Sequence, residues 1–160
     1  MTTKADFNGK EWQEVAEAPA LAGLIVASAQ RGGTIRESLA MGKAYAEAKK
    51  QHGEGSELLS DIVAGVPQME SGRFTSAEDL RTQGLERLRS ATALVESKAN
   101  PDEAEAYKRF AITVAQRAAE ADKSGGVLGI GGERVSDAER TTLAEIAEAL
   151  GTEAPAEPTG

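Results

Sequence analysis

The chain has no cysteine and one histidine, His52. Without cysteine there is no disulfide scaffold, no thiolate zinc or iron–sulfur site and no cysteine nucleophile. One histidine cannot build a multi-histidine metal centre within one chain, and any Ser-His-Asp triad would have to be built on His52. Six aromatic residues, counting Trp12, two tyrosines and three phenylalanines, are too few for a base-stacking platform. Basic charge is scarce as well: 18 Lys and Arg against 26 Asp and Glu leave a net charge of −8. A nucleic-acid binder needs a basic face to neutralise phosphates, so nucleic acid is not an expected partner. The acidic excess is even, with 8 basic and 12 acidic groups in residues 1–80 and 10 and 14 in residues 81–160. Even spacing of that kind serves solubility and does not steer a partner to one face.

Long apolar runs are missing too. The longest uncharged stretch, residues 18–30, has 13 residues, against the roughly 20 apolar residues of a membrane span. It reads as a buried helix. Glu11, Glu14 and Glu17 precede it, where a secretory signal would carry positive charge. No membrane span is expected, and the cytoplasm is the expected location.

What the chain does have is alanine, 29 residues of 160, and a helical period. From 76 to 98 the small or apolar positions are Ala77, Leu80, Gly84, Leu88, Ala91 and Val95, widened by Leu85 and Leu94. Steps of three and four define one face of a helix. From 101 to 123 the stripe is Ala104, Tyr107, Ala111, Val114, Ala118 and Ala121, and from 136 to 150 it is Leu143, Ile146, Ala147 and Leu150. No segment alternates with period two. The spacing predicts an all-α, single-domain bundle of five to six helices, near 10–30, 34–51, 56–65, 75–98, 101–123 and 136–150. The bundle would occupy residues 1–151, with an acidic, proline-containing tail at 152–160.

Helix starts are marked by Ser or Thr followed three residues later by Glu, at Thr34/Glu37, Thr75/Glu78 and Ser136/Glu139. This is the capping-box pattern. Asn100-Pro101-Asp102-Glu103 offers a fourth start, with Asn as cap and Pro at the first helical position. Gly151 after Leu150 marks a stop. Pro19, inside the first pattern, is expected to kink that helix or to begin a second one at Ala18.

Few residues carry chemistry. The glycine-rich stretch 125–132 lacks a preceding strand, a Gly-Lys-Ser/Thr and the third glycine of a dinucleotide fingerprint, so it reads as a connection between two helices. Around it lie five carboxylates, Glu120, Asp122, Glu133, Asp137 and Glu139, in an oxygen-rich setting that could supply ligands to calcium or magnesium. The EF-hand spacing is absent. His52 lies in a polar helix end, where the dipole favours it, with no nucleophile signature nearby. Trp12 shares a side with Val15 and should anchor the first helix. Ala18/Ala22 and Gly23/Ala27 put small residues four apart, which lets a second backbone come close; this suits packing within the chain, and a homodimer contact stays open. Arg81, Arg87 and Arg89, with Glu86 between them, make a solvated face.

Residues 112–151 also carry a resemblance. Ala118-Ala119-Glu120-Ala121-Asp122, then Gly132-Glu133-Arg134-Val135-Ser136-Asp137-Ala138-Glu139-Arg140, then Leu143 and Ile146-Ala147-Glu148-Ala149-Leu150-Gly151 resemble the helical hairpin of TerB-like proteins, the tellurite-resistance family. That pattern runs Ala-Asp-Gly-Glu-Val-Ser, two residues, Glu, then a Leu/Ile-rich helix ending in Leu-Gly. Here the compact acidic loop is split, because ten residues separate Asp122 from Glu133. The resemblance covers a quarter of the chain. It implies a small helical module tied to metal or chemical stress, without catalysis, and a divalent cation held by Asp122, Glu133 and Glu139. The reading is therefore a non-catalytic binding or interaction module with a protein partner. The rivals are an enzyme or ligand-binding protein with a cleft under residues 125–132, or a structural subunit docking through helix 18–30.

Overall fold

A computed structural model describes residues 2–28, 50, 57–65, 74–124 and 137–152, with side chains included except at 27, 28, 77, 120–124 and 137–139. Among these residues there are five α-helices and no strand: α1 Gly9–Ser28, α2 Glu57–Ala64, α3 Ala77–Lys98, α4 Pro101–Ser124 and α5 Asp137–Leu150. A short 3₁₀ turn at Lys4–Asp6 precedes them. The all-α bundle that the periodicity predicts is the fold. The helix expected at 34–51 lies outside the described residues apart from Lys50, which is helical.

The centre of the bundle is α1, which packs on α3, α4 and α5. From Val15 to Val26 every residue is buried except Leu24, which is half-buried. A helix apolar nearly all round belongs in an interior, and neighbours on several sides meet that need. The small residues Ala18, Ala22 and Gly23 are buried here, so the chain's own helices cover the stretch that a docking helix would have to present up to Val26; Ala27 lies outside the described side chains.

The expectation that Pro19 begins a second helix at Ala18 is corrected. Helix α1 runs through Pro19 in one piece. Proline removes the N–H that would bond the carbonyl four residues back, here that of Val15. The Tyr107 hydroxyl of α4 donates to that carbonyl across 2.7 Å. A tertiary hydrogen bond stands in for the missing helical one, and the helix continues.

The predicted stripes face inward at every described position; the side chains of Ala77 and Ala121 lie outside the described residues. In α3, Leu88, Ala91 and Val95 are buried, and Leu80 and Gly84 join them, with Leu85 and Leu94 half-buried. In α4, Ala104, Tyr107, Ala111, Val114 and Ala118 are buried, as are Leu143, Ile146, Ala147 and Leu150 of α5. Gly84 has a packing reason: a Cβ built there would lie 2.6 Å from Ile25 Cδ1 of α1. The absence of a side chain lets α1 and α3 approach at that level.

Caps fix the helix ends. Asn8 and Glu11 form a reciprocal pair at the start of α1, the Glu11 amide donating to Asn8 Oδ1 and the Asn8 amide to Glu11 Oε2, both at 2.9 Å. Asn100 and Glu103 repeat it at α4, with Asn100 as the cap that the sequence predicts, at 2.9 and 3.3 Å. At α3 the cap is one residue later than expected. Ser76 accepts from the Asp79 amide at 3.0 Å, Asp79 accepts from the Thr75 amide at 3.1 Å, and Glu78 is left exposed. The pairs Thr34/Glu37 and Ser136/Glu139 lie outside the described side chains. Helix α5 ends as predicted on Gly151, at φ 71°. The Thr152 amide donates to the Ala147 carbonyl at 2.9 Å and the Gly151 amide to Glu148 at 3.1 Å, the paired bonds of a Schellman motif.

Candidate functional site

Of the three carboxylates implicated by the resemblance, Asp122 is in the last turn of α4 and Glu139 is the third residue of α5. Their side chains, and the whole of Glu133, lie outside the described residues, as do His52 and the glycine-rich stretch 125–132. The two helices that carry Asp122 and Glu139 pack on one another. Both residues therefore flank the same connection, 125–136, from opposite ends. Among the described residues no three metal-ligating side chains come together.

A polar groove of about 580 Å³ lies between α1 and α3. One wall is Lys10, Gln13, Glu14 and Glu17; the other is Gln83, Glu86, Arg87 and Ser90. Each set is spaced by three, four and seven residues, which puts it on one helix face. Glu17 forms the floor and is 7% exposed. Gln13 Nε2 donates to it at 3.1 Å, and the Arg87 guanidinium lies 3.8 Å away. Above it, Ser90 donates to Glu14 at 3.0 Å. Burying a carboxylate requires such compensation. Two of these contacts, Arg87 to Glu17 and Ser90 to Glu14, cross the seam and tie α1 to α3.

The arginines read from sequence as a solvated face do more than that. Arg81 grips Glu145 of α5 through Nε at 2.7 Å and through Nη2, and Arg87 reaches toward Glu17. Both ties join α3 to another helix. Lys108 in α4 is buried to 9% exposure and lies 2.7 Å from Glu96 of α3.

A second polar centre gathers at the turn between α3 and α4. The Glu103 carboxylate accepts from the Thr2 amide at 2.9 Å, from the Thr2 hydroxyl at 2.6 Å and from the Asn100 amide at 3.3 Å. Burial pushes this carboxyl up, and the hydrogen bonds from Thr2 and Asn100 outweigh that and hold it below the usual carboxylate range. Beside it Lys98 Nζ donates to the Asp6 carbonyl at 2.9 Å, lies 3.3 Å from Glu11, and sits 5.6 Å from the centre of the Phe7 ring. Phe7 meets Trp12 at 5.9 Å between ring centres, and Lys4 lies over Trp12 at 5.7 Å. Trp12 is thus the anchor expected of it, packed on the core from the edge.

Sequence reasoning missed Glu17, Glu103 and the Asn8 cap. The signal for two of them was present, since Asn8-x-x-Glu11 repeats the Asn100-x-x-Glu103 pattern. For Glu17 the hint was Gln13 one turn earlier, a partner at the spacing that lets an amide reach a carboxylate.

None of the described helices is long and apolar enough to cross a membrane. No family model, curated protein or solved structure matches the chain.

Proposed function

We propose that this chain is a non-catalytic helical binding module, TerB-like in its C-terminal hairpin and tied to metal or chemical stress in the cytoplasm. Its ligand in this reading is a divalent cation held by Asp122, Glu133 and Glu139. The observation that supports it is the form of residues 112–151. They comprise the second half of α4 and all of α5, two helices in contact, with Asp122 in the last turn of one and Glu139 in the first turn of the other. Carboxylates entering from both ends of one connection are a donor set for a hard cation, which takes six or more oxygens and accepts flexible geometry when it is calcium. Glu133, inside the connection, would add the third.

The test is calorimetric titration of the full chain with calcium, magnesium and transition-metal ions, repeated on the double variant Asp122→Asn, Glu133→Gln. Saturable heat with the native chain and its loss in the variant are expected. No heat with any ion ends the metal reading.

A further inference from the structure

Residues 2–7 lie across the turn between α3 and α4. We propose that they form a strap which opens as a unit from a bundle that stays folded, with Glu103 and Lys98 as its latches. The strap is closed on itself. Thr3 and Asp6 form a reciprocal cap, the Thr3 amide donating to Asp6 Oδ2 at 2.8 Å and the Ala5 amide to Thr3 Oγ1 at 3.3 Å. Its two ends are buried, Thr2 at 5% and Phe7 at 6% exposure, while Lys4, Ala5 and Asp6 between them are exposed.

The attachments are few and each is replaceable. Glu103 holds Thr2 by two hydrogen bonds, and the Thr2 hydroxyl also lies 3.4 Å from the carbonyl of the exposed Lys98. Lys98 Nζ holds the Asp6 carbonyl, and Asp61 of α2 accepts from the Lys4 amide at 3.0 Å. When the strap leaves, Glu103 keeps the Asn100 amide and α4 keeps its cap. Lys98 keeps Glu11. Helix α1 keeps its own Asn8/Glu11 cap, which lies outside the strap. On the strap side, Thr2 and Asp6 regain water. Opening therefore strands none of these polar groups in the bundle, and its cost falls mainly on the seat of Phe7. Segments with few apolar contacts and solvent-replaceable hydrogen bonds open locally, well before the whole fold does. What opening uncovers is the Phe7 seat beside Trp12, an apolar surface at the start of the central helix. The strap is in this sense an internal cover for that surface.

The test is residue-resolved amide hydrogen exchange on the full chain, native and carrying Thr2→Ala or Lys98→Met, with the emission of Trp12, the sole tryptophan, as a second readout. In the native chain the Lys4 and Phe7 amides should be protected, yet exchange about 100-fold faster than the amides of 107–115 in α4. Each variant should speed Lys4 and Phe7 about tenfold further and move Trp12 emission to the red, with 107–115 unchanged. Strap amides without protection in the native chain would overturn the proposal, since no latch would then exist. So would strap amides that exchange in step with α4, or variants that leave the strap unchanged or speed strap and α4 alike.

Discussion

The Tyr107 hydroxyl donates across 2.7 Å to the carbonyl oxygen of Val15, the acceptor that Pro19 leaves without a helical donor. Both partners are fully buried. Removing the hydroxyl leaves a buried carbonyl short of a partner, which costs about 1–3 kcal/mol. Tyr107→Phe should therefore lower the free energy of unfolding by that amount, read by urea denaturation. The cause can be isolated. Pro19→Ala restores an N–H four residues after Val15, so Tyr107→Phe should cost clearly less in the Pro19→Ala background. Equal costs in both backgrounds would mean that the hydroxyl acts elsewhere.

Gly84 and Ile25 make a second coupled pair. Glycine inside a helix is about 1 kcal/mol worse than alanine, so Gly84→Ala would stabilise α3 if space allowed. It does not: the new methyl would meet Ile25 Cδ1 at 2.6 Å and Cγ1 at 3.1 Å, and Ile25 is held in the core at 1% exposure. Overpacking of this kind costs about 1–3 kcal/mol, so Gly84→Ala should be net destabilising. Ile25→Val deletes the clashing methyl and alone costs about 0.5–1.5 kcal/mol. The double variant should be more stable than the sum of the two predicts, by about 1 kcal/mol. Additivity in thermal or urea denaturation would rule out the close approach.

Both pairs show where sequence stops speaking. The inward positions were legible because burial on a helix repeats every three to four residues, and Leu88, Tyr107, Val114 and Ile146 all fall where that rule puts them. Tyr107 and Gly84 were readable as inward; their partners were not, because helix pairing is a tertiary fact with no local code. The start of α3 was misread by one residue for a different reason. Thr75 and Ser76 are both competent caps, each followed three residues on by an acid, and only the backbone decides for Ser76 and Asp79. Pro19 misled in the same way. A proline mid-pattern reads as a break until a hydroxyl from another helix supplies the lost partner. The candidate cation set of Asp122, Glu133 and Glu139 rests on the resemblance alone, because which side chains from two helices and a connection meet has no local code; those side chains lie outside the described residues.

The stripe assignments have a direct energetic consequence. Leu88 and Val114 are fully buried, on α3 and α4 respectively. Truncating either to alanine removes buried apolar atoms and leaves a cavity, for a cost of about 1–4 kcal/mol each. Arg89→Ala, next to Leu88 but exposed, should stay within about 0.5 kcal/mol of the native chain. Thermal denaturation of the three variants separates the faces of α3; unchanged stability in both Leu88→Ala and Val114→Ala would contradict the burial.

Acid should act on the caps. Among the described residues three carboxylates close α-helix starts, and all three are held below the usual carboxylate range: Glu11 by the Asn8 amide, Asp79 by the Thr75 amide, and Glu103 by Thr2 and Asn100 against the upward push of burial. In the unfolded chain these groups take ordinary values near 4. A carboxyl whose value is lower when folded adds stability that is full above the unfolded value and is lost as pH falls through the folded one. The caps therefore contribute fully at neutral pH and lose their contribution progressively below about pH 5. The unfolding midpoint in urea should accordingly fall between pH 5 and pH 3. The triple variant Glu11→Gln, Asp79→Asn, Glu103→Gln should be less stable at pH 7 and show a shallower fall, since its caps have no proton to gain. A native-like slope in that variant would place the acid sensitivity in other carboxylates.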